Sequence, residues 1–253
     1  MPLTAPPARG GRRRSGWSPR DAAFVADWRP TLFVHFRLAP EVLAREVPAP
    51  LDLYDGCAYV TLVLFRLERM RRAGWGPLGR WLCRPISEHP FLNLRTYVRG
   101  SVGPGIQFLV EWIPNRLSLA VGPRVYGLPY RLGRFSGDGF GPEAAGRLRV
   151  EDPALAATLT LEFGRGDAPL APCPAGSLAE FLLERDVAYT ERRGVHRYFR
   201  VRHEPWQMVR PDYLRCNSAL AAARFPWFRG AEFAGAHWSP GVTAVDMGKP
   251  WRL

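Results

Sequence analysis

The chain has 253 residues, 47% of them hydrophobic, and a formal net charge of +12. This length and apolar content suffice for a buried core in one large domain or two small ones, and they exclude a disordered chain. Of 35 basic residues only Lys249 is a lysine, which almost excludes lysine chemistry. The arginines either form a basic surface that attracts acidic metabolites, nucleic acid or anionic lipid, or reflect a general replacement of lysine by arginine.

The cysteines are widely spaced and form no C-x-x-C pair, which is typical of reduced thiols in a cytoplasmic protein. No run of 18 or more apolar residues offers a membrane span, and no apolar segment follows the arginines at 12–14 to complete an export signal. We therefore expect a cytoplasmic protein without a membrane partner.

Residues 1–20 combine proline, glycine and arginine with almost nothing to bury, and they predict a flexible basic arm ahead of a single domain over 21–253. The arm either stays solvated or contacts phosphates. Nucleic acid is not the favoured partner, because the arm lacks the aromatic interleaving that base stacking requires.

Along the domain, runs of β-branched and aromatic residues predict strands. The predicted strands cover residues 31–38, 57–67, 91–99, 106–113, 147–150, 158–163, 195–204 and 206–209. Short helices are predicted at 40–47, after the S-x-x-E capping box that begins at Ser177, and at 217–225. Glycines and prolines predict a long loop over 69–90. With no βαβ alternation, this order favours one α+β domain built on a curled, mostly antiparallel sheet or barrel.

Three polar side chains alternate out of otherwise apolar strands: His35 and Arg37 on the first, and Arg95 on the third. A lone histidine in this position is either a hydrogen-bonded core residue or a catalytic base. A buried arginine needs a partner, because an unpaired buried charge is strongly destabilising. That partner is either an anionic ligand or a carboxylate. The carboxylate candidates are Glu46, Asp52 and Glu111.

The sequence favours neither a metal site nor a serine nucleophile. His196 and His203 are seven residues apart on one predicted strand and so face opposite sides. A G-x-S-x-G elbow is missing, and the glycines at 100–105 open no helix and carry no G-K-[ST], so they indicate a hairpin turn and not a phosphate loop. We expect no metal and no cofactor.

The order of several motifs resembles the YqjF-like family, also called DUF2071. The motifs are LFVHFRLAPEVLAREVPAPLDLYDGCAYVTLVLFRL, FLNLRTYVRG, PGIQFLVEW, GPRVYGLPYRLGRF, GSLAEFLLERDVAYT and HEPW, and they span roughly residues 28–245. That family is similar in fold to acetoacetate decarboxylase. The resemblance therefore implies a single-domain, cone-shaped antiparallel β-barrel around a small cavity, which agrees with the strand order above.

The resemblance also indicates a site in the apolar stretch 115–135, at its Gly-Leu-Pro-Tyr-Arg turn. The decarboxylase has two lysines in the equivalent turn, one of which forms a Schiff base. Tyr130 and Arg131 stand at those positions, and neither forms an imine, so Schiff-base decarboxylation should be absent. By the same resemblance, Arg37 matches an arginine that meets the substrate carboxylate, and Glu111 is the nearest candidate for a carboxylate of the site.

Two hypotheses for the function remain open. In the first, a cofactor-independent enzyme acts on a small anionic or carbonyl-bearing metabolite. Arg37, His35 and Arg95 would bind this ligand, and Tyr130, Arg131 and Glu111 would act on it. In the second, the barrel is a non-catalytic binding or interaction protein, and Tyr130 and Arg131 only cap it. Similarity to the decarboxylase also allows a homo-oligomer.

Overall fold

The computed structural model describes residues 21–139 and 145–253, so the predicted basic arm lies outside the described residues. The strands are β1 (Ala22–Leu38), β2 (Ala58–Arg72), β3 (His89–Gly100), β4 (Gly103–Ile113), β5 (Tyr130–Leu132), β6 (Arg134–Gly137), β7 (Ala145–Asp152), β8 (Ala157–Gly164), β9 (Val187–Arg192), β10 (Val195–Arg202), β11 (Tyr213–Asn217), β12 (Glu232–Ser239), β13 (Val242–Gly248) and β14 (Trp251–Arg252). The helices are α1 (Pro40–Leu43), α2 (Gly76–Cys83), α3 (Arg116–Val125), α4 (Leu178–Leu183) and α5 (Ala219–Arg224), with 3-10 turns at Arg84–Ile86 and Pro226–Gly230.

Seven strands close into a barrel in the order β1, β2, β3, β4, β9, β10, β13 and back to β1. The β4–β9 contact is parallel and the other contacts around the ring are antiparallel. Closure leaves no free edge within the ring, and β12 extends the sheet from β1 as an additional strand. The prediction of a mostly antiparallel α+β barrel is therefore confirmed.

Strict alternation along β1 gives the strand two apolar faces. Leu32, Val34, Phe36 and Leu38 pack outward against a second, four-stranded sheet of β11, β8, β7 and β6. Phe33 belongs instead to the cluster of side chains inside the barrel. This second sheet contains the antiparallel pair β7 and β8, which includes the strands predicted at 147–150 and 158–163.

The loop predicted over 69–90 is wrong. β2 continues to Arg72, and Gly76–Cys83 forms α2, followed at once by the 3-10 turn. Pro77 lies in the first turn of α2, where a helix does not need the missing N–H group, so the Gly-Pro pair starts a helix and does not end one. The helix predicted over 40–47 ends earlier, at Leu43.

The stretch 115–135 contains a helix that its apolar run does not reveal. The side chain of Asn115 accepts a hydrogen bond of 2.8 Å from the Ser118 backbone N–H and caps α3. After α3, Gly127 adopts a φ of +74°, which a glycine adopts without steric cost. The chain then turns into β5, which pairs in parallel with β4 and places Tyr130 opposite Glu111.

Candidate functional site

The interior of the barrel contains a cavity of about 70 Å³. Its walls are mostly apolar and come from all seven barrel strands and from the loops at its ends. They include Phe33, Val63, Phe91, Leu128, Phe199 and Trp206. Since a water molecule occupies about 30 Å³ in the liquid, this cavity has room for a few water-sized groups.

Glu111 is the acidic residue of this cavity. It extends from β4, lies opposite Asn93 of β3 on one side and Tyr130 of β5 on the other, and is only 4% exposed. Removal from water raises the pKa of its carboxyl group to about 8, because burial disfavours the charged form. Glu111 is therefore mostly protonated at neutral pH and titrates near pH 8.

Five polar side chains of the cavity have a buried atom without a hydrogen-bond partner among the described residues. These atoms are Trp28 Nε1, Thr31 Oγ1, Asn93 Oδ1, Arg95 Nε and Glu111 Oε1. A buried polar group left without a partner costs about 1–3 kcal/mol, so such groups are rare unless they serve a function. All five of these atoms belong to residues that line this one cavity.

Arg95 brings a positive charge to the cavity. Its Nη2 donates a hydrogen bond of 3.0 Å to the carbonyl oxygen of Leu182, and its guanidinium lies over the rings of Phe33 and Tyr97. Within the described part of the chain, no carboxylate forms an ion pair with it. By contrast Arg185, the other arginine of the cavity wall, donates 2.8 Å to Asp52. The carboxylate partner that the sequence offers as one alternative for Arg95 is therefore not among the described residues that pair with it.

Tyr130 also lines the cavity. Its ring packs edge-on against Phe91, with 6.0 Å between ring centroids, and its other side contacts Gly122 of α3 so closely that a side chain there would overlap the ring. Burial, together with the nearby Glu111 carboxyl, raises the pKa of the Tyr130 hydroxyl well above its usual value. The hydroxyl therefore stays protonated and remains a hydrogen-bond donor.

Arg37 does not reach the cavity. It lies at the end of β1, its side chain is 56% exposed, and its guanidinium pairs with Glu232 of β12 at 2.6 Å. The hydrogen bond and charge of Glu232 raise the pKa of Arg37 further. The expected convergence of Arg37 with Glu111 and Tyr130 is therefore corrected: Arg37 follows the alternation of β1, but the barrel wall ends before its side chain can point inward.

Arg131 also lies outside the cavity, because it follows Tyr130 on a strand and so faces the opposite side. Its Nε donates 2.6 Å to Asp152, which also accepts 3.0 Å from Trp112 Nε1. Burial by itself raises the pKa of Asp152, but the hydrogen bonds from Arg131 and Trp112 outweigh it and lower the pKa below its usual value. The expectation that Arg131 acts on a ligand is corrected to a structural pair between the barrel and the second sheet.

This pairing makes Asp152 important for stability. We expect Asp152→Asn to lower the free energy of unfolding by about 2 kcal/mol at pH 7, because it removes the charge that Arg131 and Trp112 contact. The folded pKa is depressed, so the stabilisation is present above pH ~4 and disappears as the pH falls through the folded pKa. Urea unfolding at pH 7 and at pH 3 checks this. As a control, Glu162→Gln at an exposed ion pair should change stability by less than about 1 kcal/mol.

His35 is fully buried beside the cavity but does not line it. Its Nδ1 lies 2.9 Å from Thr61 Oγ1, and its Nε2 lies 2.9 Å from Nδ1 of His237. The expected role in contacting the ligand is therefore corrected to a hydrogen-bonded core position. Sequence reasoning also missed Asn93, although it lies two residues before Arg95 on the same predicted strand face.

The part of the chain that the structure describes contains no group of three or more His, Cys, Asp or Glu side chains arranged to hold a metal ion. Within the same residues, no helix has the length and apolar character needed to cross a membrane.

A seven-stranded closed barrel around a mostly apolar cavity with a few buried polar groups defines an acetoacetate decarboxylase-like fold. The chain superposes on an acetoacetate decarboxylase-like enzyme from Sphingomonas wittichii RW1 with a TM-score of 0.62 and 15% identity, covering 94% of this chain and 96% of the other. Superposition on acetoacetate decarboxylase from Legionella pneumophila gives a TM-score of 0.62 at 10% identity, and it covers 99% of this chain and 98% of the decarboxylase. Superposition on the enduracididine biosynthesis enzyme MppR, complexed with pyruvate, gives a TM-score of 0.56 at 13% identity, and it covers 94% of this chain and 92% of MppR.

The model of the DUF2071 family of uncharacterized conserved proteins matches residues 25–243, and the chain belongs to this family. The uncharacterized protein YqjF of Bacillus subtilis (strain 168) is 28% identical over 185 residues, which are 71% of this chain and 72% of YqjF. The resemblance seen in the sequence is thus confirmed for the family and for the fold.

Proposed function

We propose that the barrel cavity binds a small oxo acid and catalyses proton transfer at the carbon next to its carbonyl group, without a Schiff base or a cofactor. The observation that carries this proposal is the set of five buried polar atoms that lack partners and converge on one cavity with the acid Glu111. A ligand that satisfies these groups recovers part of the free energy that their burial costs.

The arrangement along β3 supports a ligand with a carboxylate at one end and a carbonyl group at the other. Arg95 and Asn93 lie on the same face of the strand, two residues or about 7 Å apart, and Asn93 is opposite Glu111. The cavity thus has a cationic end for the carboxylate and a separate acid–base end for the carbonyl group.

At the acid–base end, Glu111 and Tyr130 have complementary roles. The ionised carboxylate of Glu111 accepts the proton from the carbon next to the carbonyl, and the bonding electrons move onto the carbonyl oxygen. The Tyr130 hydroxyl donates a hydrogen bond to that oxygen as it becomes an enolate. A base with a pKa of about 8 combines a usable ionised fraction with strong basicity near neutral pH. Glu111 then returns a proton to the same carbon.

No lysine lines this cavity among the described residues. Lys249 is the chain's single lysine and lies exposed between β13 and β14. The named ligands of similar folds support the substrate class, since MppR was complexed with pyruvate and with the condensation product of pyruvate and imidazole 4-carboxaldehyde.

Hydrogen–deuterium exchange at the methyl group of pyruvate in D₂O, followed by proton NMR, tests the proposal directly. We expect the protein to accelerate exchange, with a rate that rises as the pH passes through about 8 because Glu111 ionises there. Glu111→Gln should reduce the rate by about 100-fold or more. Arg95→Met should weaken pyruvate binding, whereas Arg37→Met, at the surface pair with Glu232, should change neither quantity.

Saturation-transfer NMR measures binding separately from exchange. Pyruvate binding that requires Arg95 but produces no exchange would favour the non-catalytic hypothesis. If neither pyruvate nor 2-oxobutyrate binds, the proposed substrate class is wrong.

A further inference from the structure

A groove of about 790 Å³ lies on the outside of the barrel, where β12 extends the sheet beyond the closed ring. Its walls are mainly apolar and come from β12 and from the segments at 168–179 and 208–214. The polar lining includes His35, His237, Arg210 and Asp212. The groove is distinct from the barrel cavity and shares none of the residues that the proposed oxo acid reaction uses.

The backbone directs His237 and Arg210 to the same side. Val209 and Trp238 form an antiparallel bridge, in which the two backbone N–H groups donate 2.9 and 2.8 Å to the opposite carbonyl oxygens. The side chains of Val209 and Trp238 pack into the hydrophobic core between the barrel and the second sheet. Because successive residues of extended chain face opposite sides, Arg210 and His237 both face the groove.

A chain of hydrogen bonds connects His237 to the interior of the barrel. His237 Nδ1 lies 2.9 Å from His35 Nε2, and His35 Nδ1 lies 2.9 Å from Thr61 Oγ1. Thr61 Oγ1 lies 2.6 Å from the Tyr97 hydroxyl, which donates 2.9 Å to the carbonyl oxygen of Leu182. This oxygen is an acceptor only, so it fixes the direction of every bond in the chain.

The direction of these bonds determines which ring nitrogen of each histidine carries the proton. Tyr97 uses its one proton on Leu182, so its oxygen accepts from Thr61, and Thr61 Oγ1 accepts from His35 Nδ1–H. A neutral imidazole carries one N–H, so His35 Nε2 is bare and accepts from His237 Nδ1–H. His237 Nε2 is therefore also bare.

Both rings are neutral, because burial lowers the pKa of His35 well below its usual value and that of His237 to about 4. The second cause for His237 is the nearby charge of Arg210. His237 Nε2 has no partner within the described residues, although the residue is 91% buried (9% exposed). It is not among the fully enclosed polar atoms without partners, so it is accessible from the groove.

We propose that the groove is a second ligand site, in which His237 Nε2 accepts a hydrogen bond from a hydroxyl or amide N–H of a ligand whose carboxylate pairs with Arg210. Within the described chain Arg210 forms no ion pair with a carboxylate, which leaves its guanidinium available. The apolar walls, including Met208 and the exposed Phe233, suit an aliphatic side chain. A 2-hydroxy acid with a branched aliphatic chain has this combination of groups.

Nitrogen-15 NMR of the histidine rings tests the hydrogen-bond chain. We expect His35 and His237 both to be neutral at pH 7 with the proton on Nδ1, the opposite of the tautomer that free imidazole side chains prefer. Finding the proton on Nε2 of His237 would overturn the proposal, because a donor at that position cannot accept from a ligand.

A matched pair of probes tests the ligand class: 2-hydroxy-4-methylpentanoate and 4-methylpentanoate differ only in the hydroxyl group. By titration calorimetry, we expect the hydroxy acid to bind about fivefold more tightly, since one hydrogen bond contributes roughly 1 kcal/mol. His237→Phe should remove this preference. Arg210→Gln should weaken the binding of both probes. Because Arg210 is exposed, this variant should fold normally and so tests the site even if His237→Phe does not fold.

Arg229→Gln, at an exposed arginine outside the groove, serves as the control and should leave both affinities unchanged. Equal affinity of the two acids for the unmodified protein, or no binding of either, would contradict the proposal. Pyruvate should not displace the hydroxy acid, so failure of the groove site and failure of the cavity site are distinguishable.

Discussion

Raising the pH from 6.5 to 8.5 will lower the free energy of unfolding of the unmodified protein by about 2 kcal/mol more than that of Glu111→Gln. The folded pKa of Glu111 is about 8, whereas the carboxyl group of an unfolded chain titrates near 4.5. Between these values the folded state holds one proton more than the unfolded state, so its stability falls as the pH rises. Each pH unit in this window is worth about 1.4 kcal/mol.

Urea unfolding as a function of pH measures this difference. Comparison with the variant cancels the contributions of the histidines and the thiols, because both proteins contain the same ones. The free energy of unfolding of the control variant Glu162→Gln should change with pH in the same way as that of the unmodified protein. Parallel curves for Glu111→Gln and the unmodified protein would show that Glu111 is ionised or solvated in the folded state, which would also remove the basis for its role as a base.

Lowering the pH from 7 to 5 will cost the unmodified protein about 4 kcal/mol more than the double variant His35→Gln, His237→Gln. Burial lowers the pKa of both rings, so the unfolded chain binds protons near pH 6.5 that the folded chain excludes. Stability is therefore full above pH ~6.5 and is lost as the pH falls towards the folded pKa values. The two rings together account for the expected loss.

Glu111 changes stability in the opposite direction throughout this range, but it is present in both proteins and cancels in the comparison. His196→Gln, on β10 outside the hydrogen-bond chain, serves as a matched histidine control. Equal losses for the unmodified protein and the double variant would indicate that His35 and His237 are protonated in the folded state, in conflict with the hydrogen-bond chain.

The fold and part of the site could be predicted because they depend on local alternation. The period-2 pattern of the third strand places Asn93, Arg95 and Tyr97 on one face, and the barrel closes with that face inward. The turn before Tyr130 likewise follows from Gly127 and Pro129. These features require only the strand period and the backbone preferences of glycine and proline.

The rest depends on contacts between distant parts of the chain. No local pattern shows that Glu232 meets Arg37 or that Asp152 meets Arg131, because 195 and 21 residues separate the partners. The pairing of His35 with His237 spans 202 residues and requires β12 to lie beside β1. An alternating strand predicts which side chains share a face, but only the closed barrel determines where the interior ends.

The first strand, β1, pairs along its length with β2, β13 and β12, and its two faces pack into the barrel interior and against the second sheet. Separation of the sheet from the barrel would expose half of this strand, and opening of the ring would expose the other half. Neither layer has a core that is independent of β1. The two layers should therefore unfold together, in one cooperative transition without a stable half-folded form.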